Sequence, residues 1–249
     1  MVKNIFSANF KNKIRTCFLR GNNVECTTCS IKLATFLPNG IPLRANAICP
    51  NCESLERTRI YWSYLLKVPG FFDTNKKVLH TAPEKVLFKL FSENKNIDYS
   101  PIDKFEVGYN YPKGTINMNI LDLKFPDNHF DFILSSHVLE HIDDDIKAMK
   151  EFHRVLSPDG FAMLQVPMDI TKDKTYEDFS ITDPEERTKA FGQFDHVRLY
   201  GLDYKERLES AGFTVEIDDF SVNLSVEEKF KFGFGEGESI YIVRKTPTN

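Results

Sequence analysis

Cysteines 26, 29, 49 and 52 form the pattern C-x2-C-x19-C-x2-C. Each C-x2-C pair delivers two sulfurs from one tight turn, and two such turns can complete a tetrahedral four-thiolate zinc site. A closed thiolate shell leaves no open position, so a zinc held by Cys26, Cys29, Cys49 and Cys52 would be structural. It would help fold a segment too small to rely on its own core. Two disulfides are the competing arrangement, disfavoured in a reducing compartment. Cys17 is expected as a small core residue rather than a ligand. Histidine provides the second set of reactive groups, because imidazole titrates near neutral pH. His137 follows a short apolar run, and His196 lies in the polar stretch 191–198, where Asp195 or Gln193 can orient it.

Positioning these groups requires an alternation of strands and helices. Residues 130–134 read as a buried strand that delivers Ser135, Ser136 and His137 to the carboxyl edge of a sheet, where open α/β sheets bind ligands. A helix follows, with Ile142, Ile146, Met149, Phe152 and Leu156 as its core stripe and Asp143 to Asp145 in its first turn. Pro158-Asp159-Gly160 reads as a turn before the next buried strand. Upstream, residues 77–80 read as a first strand and 84–91 as a helix burying Val86, Leu87, Leu90 and Phe91. Residues 97–102 form a second strand ending at Asp103, and 115–118 a third. An acid about twenty residues after the first loop suits hydrogen bonding to ribose hydroxyls. That geometry also serves nicotinamide dinucleotides, so Asp103 alone does not choose the ligand. The first loop, His80-Thr81-Ala82-Pro83-Glu84-Lys85, has no glycine, although small Ala82 and rigid Pro83 can keep it tight. Free amides at the helix start can receive a carboxylate.

The run LDLKFPDNHFDFILSSHVLEHIDDD followed by EFHRVLSPDGFAMLQVP resembles the class I S-adenosylmethionine-dependent methyltransferases, in their type 11 group. That group shows the pattern D-L-P-F-P-D-x-x-F-D, V-L-E-H and R-V-L-x-P-G-G, and the likeness extends in order over residues 76–245. It implies a Rossmann-like sheet of seven mostly parallel strands with an antiparallel last strand, residues 212–218 and 239–245 supplying the sixth and seventh. It also implies S-adenosylmethionine as cofactor. His80, Thr81, Ala82 and Glu84 would then border the methionyl group, Asp103 the ribose, and Asn119 and Ile120 the adenine. Ser135, Ser136 and His137 would border the sulfonium. The family commonly has a glycine-rich first loop, which this chain lacks, and Asp where Asn119 stands. A subgroup with an L-H-x-A-P-E loop matches Leu79 to Glu84. The same subgroup carries C-P-x-C-x-S-x-E-R-x-R ahead of the methyltransferase core, and CPNCESLERTR resembles it.

Methyl transfer to oxygen requires removal of a proton, for which His196 is the first candidate base, with Asp195 beside it, and His137 the second. The alternative is that both only brace the pocket. His129, His153 and His141 are expected to be structural. Tyr176-Glu177-Asp178 reads as an acceptor contact or a plain loop segment. Residues 54–67 read as a helix capped by Ser54, with Leu55, Trp62, Leu65 and Leu66 packing inward and Arg57 and Arg59 as candidate anion contacts.

The 249 residues suit a zinc-ribbon-like module at 1–70 and a catalytic domain at 71–249, with an insertion at about 168–200 over the site. Hydrophobic content of 41% and the lack of an apolar leader or spanning run suggest a cytoplasmic protein with no membrane insertion. Residues 1–70 hold ten Lys or Arg and three acids, whereas the whole chain carries a net charge of −4. A basic module on an acidic domain suggests an anionic partner, or simply a solvated basic surface. Three functions follow: O-methylation of a small molecule or glycan, RNA nucleobase methylation, or a non-catalytic zinc-bearing interaction protein. The lack of a dense Lys/Arg stripe disfavours RNA, and only the glycine-free loop favours the last.

Overall fold

The computed structural model describes residues 8–246, which divide into two compact units. The larger unit holds residues 72–83, 91–218 and 240–246. Its sheet contains β1 (Lys76–Thr81), β2 (Ile97–Asp103), β3 (Ile116–Asn117), β4 (Phe130–Ser136), β5 (Leu156–Gln165), β6 (Phe213–Asp218) and β7 (Ile240–Lys245). Their order is β6-β7-β5-β4-β1-β2-β3. Only β7 runs antiparallel to its neighbours, β5 and β6. This is the seven-stranded, mostly parallel sheet expected from the sequence.

Burial explains the strand sequences. In β4, Phe130, Phe132, Ile133 and Leu134 are all fully buried, as strands covered on both faces must be. They join one core with Leu79, Ile102, Met149, Phe152, Leu164 and Val243. The helix Asp145–Val155 starts where Asp144 accepts a hydrogen bond from the Lys147 amide at 2.9 Å. It buries Ala148, Met149, Phe152 and Val155. Two ends of the expected stripe lie outside it: Ile142 precedes the helix, and Leu156 opens β5.

The expected Pro158-Asp159-Gly160 turn is instead part of β5. Phe130 pairs with Leu156 but Phe132 with Phe161, so residues 157–160 stand opposite Asp131 alone. Pro158 has no N–H for the ladder, which favours such a bulge. Gly160 fits because a Cβ there would lie 2.9 Å from the Asp131 carbonyl oxygen.

The smaller unit holds residues 8–71, 84–90 and 219–239. Two short hairpins, Arg20–Glu25 with Lys32–Leu33 and Leu37–Asn39 with Arg44–Ile48, accompany the two cysteine pairs. Cys17 is exposed on the helix Ala8–Phe18 and is not a core residue. The second helix, Glu56–Lys67, is not capped by Ser54: its N-cap is Leu55, with no side-chain cap. Ser54 instead stands 3.3 Å from Cys26 Sγ and 3.2 Å from Cys52 Sγ. The inward face is Thr58, Arg59, Ile60, Tyr61 and Leu65, whereas Leu66 is exposed.

Arg59 is fully buried, so it does not face a substrate anion. Its Nε donates to the Phe232 carbonyl at 2.9 Å, Nη1 to Ser54 at 2.6 Å, and Nη2 to Ala47 at 2.8 Å and to Gly233. The guanidinium lies 4.4 Å from the centroid of the Phe36 ring. Residues 219–239, expected with the catalytic domain, are thereby joined to the amino-terminal residues. No helix among the described residues is long and apolar enough to cross a membrane. Arg59→Lys keeps the charge but cannot reach four carbonyls, and should lower unfolding free energy by roughly 2–4 kcal/mol in urea titration.

Candidate functional site

The order of the sheet reverses beside β1, because β2 lies on one side and β4 on the other. Chains leaving two such strands in opposite directions open a crevice at their carboxyl ends. A cavity of about 370 Å³ lies there, lined by Thr81 at the end of β1 and Ala82 after it, Asp103 at the end of β2, Asn119 and Ile120 after β3, and His137 after β4. Six of the expected cofactor residues therefore share one wall. Burial pushes the Asp103 carboxyl above its ordinary range. Asn119 Oδ1 accepts from the Leu121 amide at 2.9 Å, which fixes its side chain.

The other expected cofactor residues lie elsewhere. His80 is fully buried inside β1, 2.9 Å from the Tyr99 hydroxyl and edge-on to Phe91, so it braces the strand rather than the ligand. Ser135 is buried and accepts from Thr81 Oγ1 at 2.8 Å, tying β4 to β1. Ser136 and Glu84 are not among the lining residues. Sequence reading missed Lys104, Glu106, Tyr109 and Tyr111, which close the cavity after β2. Phe105 and Tyr111 stack at 4.3 Å, and Tyr111 accepts from the Glu106 amide. The available signal was three aromatic residues between Asp103 and Gly114, dense for a loop.

The glycine-free loop reaches its tight turn by strain. Ala82 has φ +46°, and His137, at the end of the neighbouring strand, has φ +55°. The left-handed region is unfavourable for residues with a Cβ. The amides on either side hold both in place: Ala82 donates to Ile102, and His137 to Gln165, each at 2.9 Å.

His196, the first candidate base, is 3% exposed and is not on the cavity wall. His141, expected only to order the turn, occupies the wall with Asp195. The two imidazoles meet edge to face at 4.7 Å. Behind them lies Glu140, fully buried, with His137 Nδ1 at 3.4 Å from its Oε1. Burial lowers the His196 pKa, against the opposing charge of Glu140. Arg198, fully buried, aligns this cluster: Nη1 donates to the Leu139 and Ile142 carbonyls at 2.9 and 2.5 Å, and Nη2 to Asp143 at 2.9 Å. Its Nε also pairs with Glu177 at 2.9 Å, so Glu177 is an ion-pair partner rather than an acceptor contact.

The four cysteines of the smaller unit form a second candidate centre. Their sulfurs all lie within 4.8 Å of one another, with Cys26–Cys52 at 3.6 Å and Cys29–Cys49 at 3.8 Å. The two turns are built alike. Ser30 donates to the Cys26 carbonyl at 2.7 Å and Glu53 to that of Cys49 at 2.9 Å. Ser30 and Glu53 both have positive φ, +57° and +63°. None of the four is in a disulfide.

Ala82→Gly removes a left-handed Cβ and should leave thermal stability within about 1 kcal/mol, whereas Ala82→Val should lose roughly 1–3 kcal/mol. Equal unfolding midpoints for the two variants would show that the loop relaxes freely.

Residues 83–164 match the family described as "Methyltransferase domain". A protein of Mycolicibacterium smegmatis, described as "Probable S-adenosylmethionine-dependent methyltransferase", is 31% identical over 121 residues, 48% of this chain. The match spans 43% of that relative's length. Among solved structures, the [4+2]-cyclase SpnF superposes with a TM-score of 0.54 at 15% identity, covering 78% of this chain and 84% of its own. A Burkholderia thailandensis 1,6-didemethyltoxoflavin-N1-methyltransferase, bound to 1,6-didemethyltoxoflavin and S-adenosylhomocysteine, superposes with a TM-score of 0.50 at 16% identity, covering 74% and 76%. At such identities the likeness carries the fold, and a cyclase among the neighbours shows that the fold serves more than one chemistry. The seven-stranded unit has the Rossmann-like fold of the class I S-adenosylmethionine-dependent methyltransferases.

Proposed function

We propose that the protein is an S-adenosylmethionine-dependent methyltransferase acting on a hydroxyl of a small molecule or glycan. The observation that carries this reading is the shared wall. Thr81, Ala82, Asp103, Asn119, Ile120 and His137 come from the ends of four adjacent strands and face one cavity. An acid after β2 and a polar side chain after β3 are the groups that a ribose and an adenine require. The match over residues 83–164 supports the methyltransferase part of this reading. When bound, the cofactor supplies an electrophilic methyl group on sulfur.

The residues of the chain do the rest. Asp103 receives the ribose hydroxyls, and Asn119 with the Ile120 amide meets the adenine ring. The Thr81–Ala82 loop holds the methionyl end. Tyr109 and Tyr111 screen the cavity from water. Of the two candidate bases, His137 is the one on the wall, where it can accept the acceptor's proton, with the Glu140 carboxylate 3.4 Å from its Nδ1. His196 then acts from behind the wall, through its contact with His141. Much of the rate derives from holding donor and acceptor in line.

The four thiolates suit a structural zinc, since their donor set is soft, closed and tetrahedrally spaced. A filled four-thiolate zinc site carries net negative charge, and the buried Arg59 guanidinium lies close enough to interact with Cys26, Cys49 and Cys52. The smaller unit is then a zinc module that includes residues 219–239, in a protein of the cytoplasm.

Calorimetric titration with S-adenosylmethionine and S-adenosylhomocysteine tests the cofactor, with NAD as control. Micromolar binding of the first two and none of NAD is expected; binding of NAD instead would refute the reading. Asp103→Asn should weaken binding by about ten- to a hundredfold, the loss of one or two charge-assisted hydrogen bonds. Cys49→Ser should lose its zinc and lower the thermal midpoint, and an unchanged metal content would dismiss the four-thiolate site.

A further inference from the structure

The larger unit buries a carboxylate that has no hydrogen bond. Glu140 is 0% exposed, and neither of its oxygens has a hydrogen-bond partner. An unpaired carboxylate in the interior is strongly unfavourable unless a cation neutralises it. Its neighbours are imidazoles. Nδ1 of His137 lies 3.4 Å from Glu140 Oε1, and Nε2 of His141 and Nε2 of His196 each lie 3.9 Å from it.

The orientation of those rings is informative. His196 Nδ1 faces the Phe191 carbonyl at 3.2 Å, and His141 Nδ1 faces the Asp195 carbonyl at 3.3 Å. A carbonyl only accepts, so each Nδ1 carries the hydrogen, and a ring with no second proton presents a lone pair at Nε2. For His196, the side-chain amide of Gln193 lies 2.9 Å from that Nε2 and can donate to it. Two nitrogen lone pairs and a carboxylate oxygen thus converge, all within 4.8 Å of one another. Without a cation between them they repel. Fixing the ligating nitrogen by a bond from the other ring nitrogen is the usual support of a metal-bound histidine.

We propose that Glu140, His141 and His196 bind one divalent first-row transition metal ion at the edge of the cavity. Bonds of about 2.1 Å set neighbouring donors roughly 3–3.5 Å apart, so each Nε2 must approach Glu140 by roughly half to one ångström. The ion replaces the Gln193 contact. Two histidines and one carboxylate leave coordination positions open. His141 lines the cavity, so an open position faces the ligand space. The set is held from both sides: Arg198 clamps the turn carrying Glu140 and His141, and the Val197 amide donates to the Glu140 carbonyl at 2.9 Å, bringing His196 in beside it. Metal binding does not depend on the methyltransferase reading. Its use does: an acceptor hydroxyl coordinated to the ion loses its proton more readily, and the ion would draw that oxygen toward the methyl donor.

The test is to titrate protein carrying one equivalent of Zn²⁺, which fills the four-thiolate site, with Co²⁺. One further Co²⁺ per chain is expected, with the weak visible bands of nitrogen and oxygen ligands. Affinity should fall at least about tenfold in His141→Ala and in Glu140→Gln, each with wild-type circular dichroism. No uptake by the wild type, undiminished uptake by both variants, or intense sulfur-to-cobalt charge transfer each overturns the proposal. Should a variant fail to fold, electron–nuclear coupling to two imidazole nitrogens in the wild-type complex decides in its place, and its lack refutes the site. Parallel titration with S-adenosylhomocysteine separates the two readings. Cobalt uptake without that binding keeps the metal site and removes the methyltransferase; the reverse removes only the metal site.

Discussion

The pairing of β1 with β2 on one side and β4 on the other is the constraint on which the larger unit depends. Parallel strands require crossover connections, and these must leave β1 in opposite directions from its two neighbours. The gap that results cannot be filled by the sheet itself. Every group on the wall is there because its strand ends at that gap. The buried Thr81–Ser135 hydrogen bond ties the two strands at the point where their chains diverge. Ala82, next after Thr81, and His137, two residues after Ser135, both carry left-handed backbone. Strain at the rim of a rigid crevice is a common companion of function.

The sheet was legible because burial is written into strand composition. Runs such as FDFILSS and KVLHT have no solvent face, so neither register nor direction needed a periodic signal. The antiparallel last strand was legible only through likeness to a family. The wall residues were legible where they stand at or just past a strand's carboxyl end: Asp103 closes β2, Asn119 comes two residues after β3, and His137 directly follows β4. His80 misled because it belongs to the strand's last turns, where alternation places it under the sheet, against Tyr99 and Phe91. Ser135 misled for the same reason.

The insertion was the hard part. Nothing in residues 168–200 is periodic, and which of its polar groups meet the cavity depends on Arg198, whose bonds go to backbone carbonyls more than fifty residues earlier. A carbonyl is invisible in sequence. His141 and His196 therefore exchanged their expected places: the residue thought to order a turn lies on the wall, and the candidate base lies behind it. Arg59 shows the same blindness in the smaller unit. An arginine beside a cysteine pair looks like an anion contact, but buried carbonyls from three segments hold its donors.

That arginine also makes assembly of the smaller unit wait. Two of its acceptors, Phe232 and Gly233, are 173 and 174 residues downstream. At a synthesis rate of about 5–20 residues per second, they are made roughly ten to thirty seconds after Arg59 itself. Throughout that interval the guanidinium has only its local partners, Ser54 and Ala47, and the Phe36 ring lacks the close cover that Gly233 gives it. Residues 8–71 of the smaller unit thus reach their final packing only after residues 219–239 have been made.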